Sequence, residues 1–133
     1  MPHTMTNPAD LHDPTPWGYA HTASVPAGTE LVFISGQYAS DEEGRVTSPD
    51  FAAQVERTLD NVRRALAAHD LEPAHVVQLR TYVVDHDVDK LGAITAAVAA
   101  MWPGKPPTQT LIGVARLATP EVLFEVEAVA ARP

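Results

Sequence analysis

Two helix-period segments separated by one strand-period segment constrain this chain more than any other feature. Phe51, Val55, Leu59, Val62 and Leu66 recur at spacings of three and four, and so do Leu91, Ile94, Val98, Met101 and Trp102. Each set places apolar side chains along one face of a helix. Between them, Val76–Val84 alternates with a period of two. Val77, Leu79, Thr81 and Val83 fall on one side of that strand, and Gln78, Arg80, Tyr82 and Val84 on the other. Two helices joined through a single strand want the same side of one sheet. The expected class is therefore α+β, a two-layer domain with a β-sheet and two helices on one face.

The flanking signals complete the order β-β-α-β-α-β-β. Trp17–Val25 reads as a first strand and Glu30–Tyr38 as a second, with Gly28 in the turn of a predicted hairpin. Asp41–Gly44 is a turn by composition, and a short extra strand is expected near Arg45–Val46. Ser48 is the expected N-cap of the first helix, with Pro49 at its first position and Asp50 complementing the dipole. Asp87 caps the second helix and Pro103-Gly104 ends it. The last strands are expected at Thr108–Ala115 and Val122–Ala130. Residues 1–16 hold four of the twelve prolines (Pro2, Pro8, Pro14, Pro16) and no periodicity, so they are expected to be a flexible tail before a single domain at 17–133.

Charge and composition exclude several functions. A net charge of −8 argues against a nucleic-acid partner, which demands a basic face. No apolar run reaches membrane-spanning length, and Met1–Met5 lacks a signal-peptide pattern, so a cytoplasmic protein without a membrane partner is expected. The absence of cysteine removes disulfides, thiolate metal sites and a cysteine nucleophile. The six histidines (positions 3, 12, 21, 69, 75 and 86) lack metal-ligand spacing, so no metal and no cofactor is expected. His21, two residues from Tyr19, can join it in proton transfer or stand as an exposed strand histidine. The histidines of the tail are assigned no role.

The last strand carries the strongest chemical signal. Val122, Phe124, Val126, Ala128 and Ala130 share one face, and Glu125 and Glu127 the other. Two carboxylates so placed either point into water or form a site in which one resists ionising.

Ile34-Ser35-Gly36-Gln37, Gln54 with Leu59-Asp60-Asn61-Val62, Val114-Ala115-Arg116-Leu117 and Glu125–Ala130, in this order and spacing, resemble the reactive intermediate deaminase (Rid, or YjgF) family from Trp17 to Arg132. The resemblance implies the trimeric chorismate-mutase-like fold, with a homotrimer around a central β-barrel and small-molecule clefts between subunits. It implies hydrolysis of enamines or imines to a carbonyl compound and ammonia. Carried over by position, Tyr19, Ser35 and Glu125 match catalytic residues of the family, with Glu125 holding the attacking water. Gly36 and Leu111 match substrate-binding positions. The arginine that clamps a substrate carboxylate in active deaminases is replaced by Gln109, and a family asparagine falls near Thr95.

The Gln109 replacement bears on substrate choice. Arginine offers a charged, planar, bidentate fork, and glutamine a neutral amide. A lost charged hydrogen bond costs about 1.5–3 kcal/mol, and more where the anion is also desolvated, which weakens a 2-iminocarboxylate by roughly tenfold to several hundredfold or worse. Arg80 or Arg116 could supply a substitute cation, or each could be structural. Two readings follow. One is an atypical enamine or imine deaminase whose substrate need not be a 2-imino acid. The other is a non-catalytic trimeric protein that binds a small molecule. A ribonuclease activity, sometimes attached to the family, is opposed by the acidic charge.

Overall fold

The computed structural model describes residues 2–133. Its core element is a four-stranded sheet in the order β3 (Leu31–Gln37), β6 (Phe124–Ala131), β4 (Val76–Val84), β5 (Thr108–Val114). β6 is antiparallel to both neighbours, while β4 and β5 run parallel. The parallel pair is the one joined by a helical crossover, α2 (Val88–Met101). With α1 (Phe51–Ala67) it covers one face of the sheet, as the alternating periodicities predict.

That covered face is the core. Val55, Leu59, Val62 and Leu66 of α1 and Ile94 and Val98 of α2 pack on Val32, Ile34, Leu79, Val83, Phe124, Val126 and Ala128. The interior polar groups are tied to backbone. Gln54 of α1 donates to the carbonyls of Ser48 and Glu121 and accepts from Leu123 N, which fixes the approach to β6. Asn61 donates to the carbonyls of Tyr38 and Ser40, holding the chain as it leaves β3.

Several expectations are corrected. Residues 1–16 were expected as a tail, but Thr4–Thr6 forms β1, paired antiparallel with β2 (Thr22–Ser24). The expected strand Trp17–Val25 is thereby cut to β2, and Thr15–Trp17 is a single 3-10 turn. No β2–β3 hairpin forms. Gly28 does occupy a turn, at φ +81°, but β2 pairs with β1 and β3 with β6. Composition locates the turn, whereas strand pairing depends on partners distant in sequence. The α1 N-cap is Asp50, whose side chain accepts from Ala53 N, and Ser48 instead accepts from Asp50 N. Near Arg45–Val46 there is only an isolated bridge between Ser40 and Val46.

Candidate functional site

The uncovered face of the sheet carries Glu125 and Glu127 of β6, Arg80 and Tyr82 of β4, and Ser35 of β3. Between Ile34↔Ala128 and Gln37↔Val126 the β3–β6 register slips by one residue. Ser35 and Gly36 therefore oppose the single residue Glu127, in a bulge that re-aims side chains. The Glu125 carboxylate lies against Gly36, where a Cβ would overlap its Oε1. A side chain at 36 would displace the carboxylate, which occupies the place of a Cβ.

Burial holds the Glu125 carboxyl above the usual carboxylate range, and the charge of Glu127 adds to the rise. Glu127 itself accepts a short hydrogen bond from the Tyr82 hydroxyl. That bond is the main cause of a raised Tyr82 pKa, followed by burial and the Glu127 charge, while Arg80 opposes the rise. The two carboxylates thus differ in setting. Glu127 is engaged by a phenol, and Glu125 is left poised beside a glycine and an exposed serine. A partly desolvated carboxyl with a raised pKa is suited to take and return a proton near neutrality.

Tyr19, Gln109 and Leu111 lie elsewhere, at the β5 edge. Gln109 pairs with Leu79 and Leu111 with Thr81 across the parallel ladder, so both point toward the helix-covered side. Gln109 Oε1 accepts from Thr81 Oγ1 at 2.6 Å and its Nε2 donates to the Gly18 carbonyl at 2.9 Å. Its amide keeps one N–H and one lone pair beyond those bonds. Gly18, at φ +81°, packs against Val98 and Thr95 of α2, and Ala20 N donates to the Pro107 carbonyl. Tyr19 is thereby held beside the start of β5. It lines a cleft of about 560 Å³ with His21, Gln78, Thr108, Gln109 and Thr110.

Tyr19 has two histidine neighbours. His12 Nε2 stands 2.5 Å from its hydroxyl, and His21 Nε2 stands 2.8 Å from the His12 carbonyl oxygen. His12, expected in a flexible tail without a role, instead packs against Tyr19 and His21. Asn7 Oδ1 accepts from His21 N and β1 pairs with β2, so the segment before Trp17 folds back over the site. No periodicity marks this segment, and the only local hint is the β-forming Thr4-Met5-Thr6.

The seven residues singled out from sequence thus form two groups. Ser35, Gly36 and Glu125 are together, while Tyr19, Gln109 and Leu111 are at the opposite sheet edge. Three strand spacings separate Gln109 from Ser35, about 15 Å. Arg80 lies between them on the open face, opposite Glu127 and Thr110 in register. Arg116 is exposed in the loop after β5. Among the described residues no group of three or more His, Cys, Asp or Glu is placed to hold a metal, and no helix is long and apolar enough to cross a membrane.

A family model described as "Endoribonuclease L-PSP" matches residues 16–132. The crystal structure of YyfB from Yersinia pestis, described as a protein of unknown function of the conserved Rid family, superposes with a TM-score of 0.94. It is 36% identical and the match covers 99% of this chain and 100% of that one. Protein DfrA of Myxococcus xanthus is 28% identical over 100 residues, 74% of each chain. A 2-iminobutanoate/2-iminopropanoate deaminase of Salmonella typhimurium is 29% identical over 103 residues, 77% of this chain and 80% of that protein.

Proposed function

The chain belongs to the endoribonuclease L-PSP family, the Rid proteins, and from that premise we propose that it hydrolyses an enamine or imine lacking a 2-carboxylate, in a cleft completed by a neighbouring subunit of a homotrimer. The observation that carries this reading is the Glu125 carboxyl, seated against Gly36 and held above the usual carboxylate range.

In the proposed reaction the imine enters protonated on nitrogen, and ionised Glu125 accepts a proton from a water whose oxygen attacks the C=N carbon. The resulting carbinolamine receives that proton at nitrogen. The C–N bond then breaks with its electron pair leaving on ammonia, and loss of the hydroxyl proton gives the carbonyl product. Ser35 offers a hydrogen bond to the developing charge. An enamine enters the same path after protonation at its β-carbon.

The choice of a substrate without a carboxylate rests on Gln109. Its amide is neutral and already bonded to Thr81 and Gly18, so no charged fork faces the cleft at that position. The net charge of −8 opposes a polyanionic ligand such as RNA, despite the family's description. Assembly is supported by the open sheet face, where Phe33 is 75% exposed and Leu31 41%. An edge-to-edge contact between subunits would close the gap of about 15 Å that separates the two groups of site residues within one chain.

The test is ammonia release from freshly generated imines with and without a carboxylate, using wild type, Glu125→Gln and Gln109→Arg. Wild type should accelerate hydrolysis of the neutral imine, and Glu125→Gln should abolish turnover while leaving assembly intact. Turnover that survives Glu125→Gln refutes the mechanism. Gln109 also favours a second reading, a binding protein without turnover, which predicts saturable ligand binding and no acceleration with any imine.

A further inference from the structure

Tyr19 and His21, which line the cleft, meet the ring of His12. The His12 and Tyr19 centroids are 6.1 Å apart, His12 and His21 4.7 Å, and Tyr19 and His21 5.5 Å, all in edge-on arrangements. Their hydrogen bonds are not equivalent. His21 Nε2 faces a carbonyl oxygen, which only accepts, so that nitrogen carries a proton in either charge state. The 2.5 Å contact between His12 Nε2 and the Tyr19 hydroxyl is different, because each atom can donate or accept. In the neutral imidazole its direction follows the tautomer, Nε2 accepting when the proton sits on Nδ1, whereas in the protonated ring Nε2 can only donate.

We propose that His12 is a positioning residue that switches the Tyr19 hydroxyl between two roles toward the cleft. With neutral His12 accepting at Nε2, the phenol gives its only proton to the imidazole, and its oxygen lone pairs are presented as acceptors. With protonated His12, Nε2–H donates to the phenol oxygen, and the phenol proton is released to donate into the cleft. No covalent bond between heavy atoms changes, and the added proton comes from solvent. The acceptor state suits a ligand bearing N–H donors, such as an iminium or amine, and the donor state suits a carbonyl or other acceptor oxygen.

The surroundings support a switch rather than a fixed contact. His21 pins the His12 backbone through its carbonyl, so the ring is held over the phenol. The charged neighbours are few. His21 is the titratable ring that faces His12. Asp13 is adjacent in the chain, but its carboxylate accepts from Thr15 N. Among the described residues none of the ion pairs found involves His12, Tyr19 or His21. The other two tyrosines lack a partner that can reverse the bond. Tyr38 donates to the Gly44 carbonyl at 2.6 Å and Tyr82 to the Glu127 carboxylate.

The consequence for ligand choice rests on the cleft assignment above, but the switch itself is testable without any ligand. Protein carrying 13C at tyrosine Cζ has three such signals, because the chain has three tyrosines, and Tyr19→Phe assigns the relevant one. Histidine changes charge between about pH 5 and 8. The Tyr19 signal should move with an inflection inside that window, and the inflection should vanish in His12→Gln, which keeps a hydrogen-bonding group but cannot titrate. A Tyr19 signal that stays flat across the window overturns the proposal. An inflection that persists in His12→Gln overturns the assignment to His12. Failure of imine turnover leaves these signals unaffected, so the two proposals fail separately.

Discussion

Replacing Glu125 by glutamine should make the protein more stable at neutral pH while removing its chemistry. Glu125 and Glu127 lie two residues apart on one strand face, about 6.7 Å at 3.3–3.4 Å per residue. Coulomb repulsion at that separation is roughly 0.6 kcal/mol at the permittivity of water and 2.5 kcal/mol at an effective value near 20. Solvent still reaches Glu125, so about 1 kcal/mol is expected, or a few degrees in Tm for a domain of this size. The sign follows from linkage. The folded-state pKa of Glu125 is raised, by burial first and then by Glu127. Its contribution to stability is therefore fully present below the unfolded carboxyl pKa, about 4.3, and is lost as pH rises through the folded value. The advantage of Glu125→Gln should be largest at pH 7, shrink in high salt and disappear near pH 4. Urea unfolding at fixed protomer concentration measures it, with imine turnover measured on the same samples. A variant no more stable than wild type at pH 7, or one whose gain persists unchanged at pH 4, would refute the argument. A residue that costs stability and is required for turnover is held for function.

Two further perturbations probe the same scaffold. Gly36→Ala places a methyl where the Glu125 carboxylate lies and should destabilise by about 1–3 kcal/mol in urea unfolding. Part of that loss should be recovered when Glu125 is also changed to Ala, and strict additivity of the two would show that they do not touch. Thr58 Oγ1 is buried without a hydrogen-bond partner, so Thr58→Val should raise the urea midpoint, by about 1 kcal/mol in stability. A destabilised Thr58→Val would mean that the hydroxyl is satisfied after all.

The parts of this fold legible in sequence are those set by local periodicity. Phe51–Leu66, Val76–Val84 and the alternation around Glu125 and Glu127 each name an element and its buried face, because amphipathic spacing is a property of neighbours in the chain. Pairing was not legible in the same way. β2 has β-forming residues and a good turn after it, yet its partner is β1, inside a proline-rich stretch with no periodic signal. The site divides along the same line. Glu125 announces itself as a carboxylate on a half-apolar strand. His12 reaches Tyr19 only through the return of residues 4–6 alongside 22–24 and the pinning of its carbonyl by His21, contacts between segments that carry no common pattern.

Gln109 is where the structural and chemical arguments meet, and it makes Gln109→Arg an informative substitution. The glutamine ties the Gly18 carbonyl to β5 and so helps to place Tyr19. An arginine can keep that bond, because its guanidinium has five N–H donors. Thr81, whose hydroxyl now donates to Gln109 Oε1, can rotate to accept instead. The substitution therefore adds a cation at the cleft without forcing the Tyr19 loop from its place. A gain of tenfold or more toward a carboxylate-bearing imine, with turnover of a neutral imine little changed, would isolate the charge as the determinant of substrate choice. An equal change toward both would show instead that the amide acts through the position of Tyr19, and the argument for a substrate without a carboxylate would fall with it.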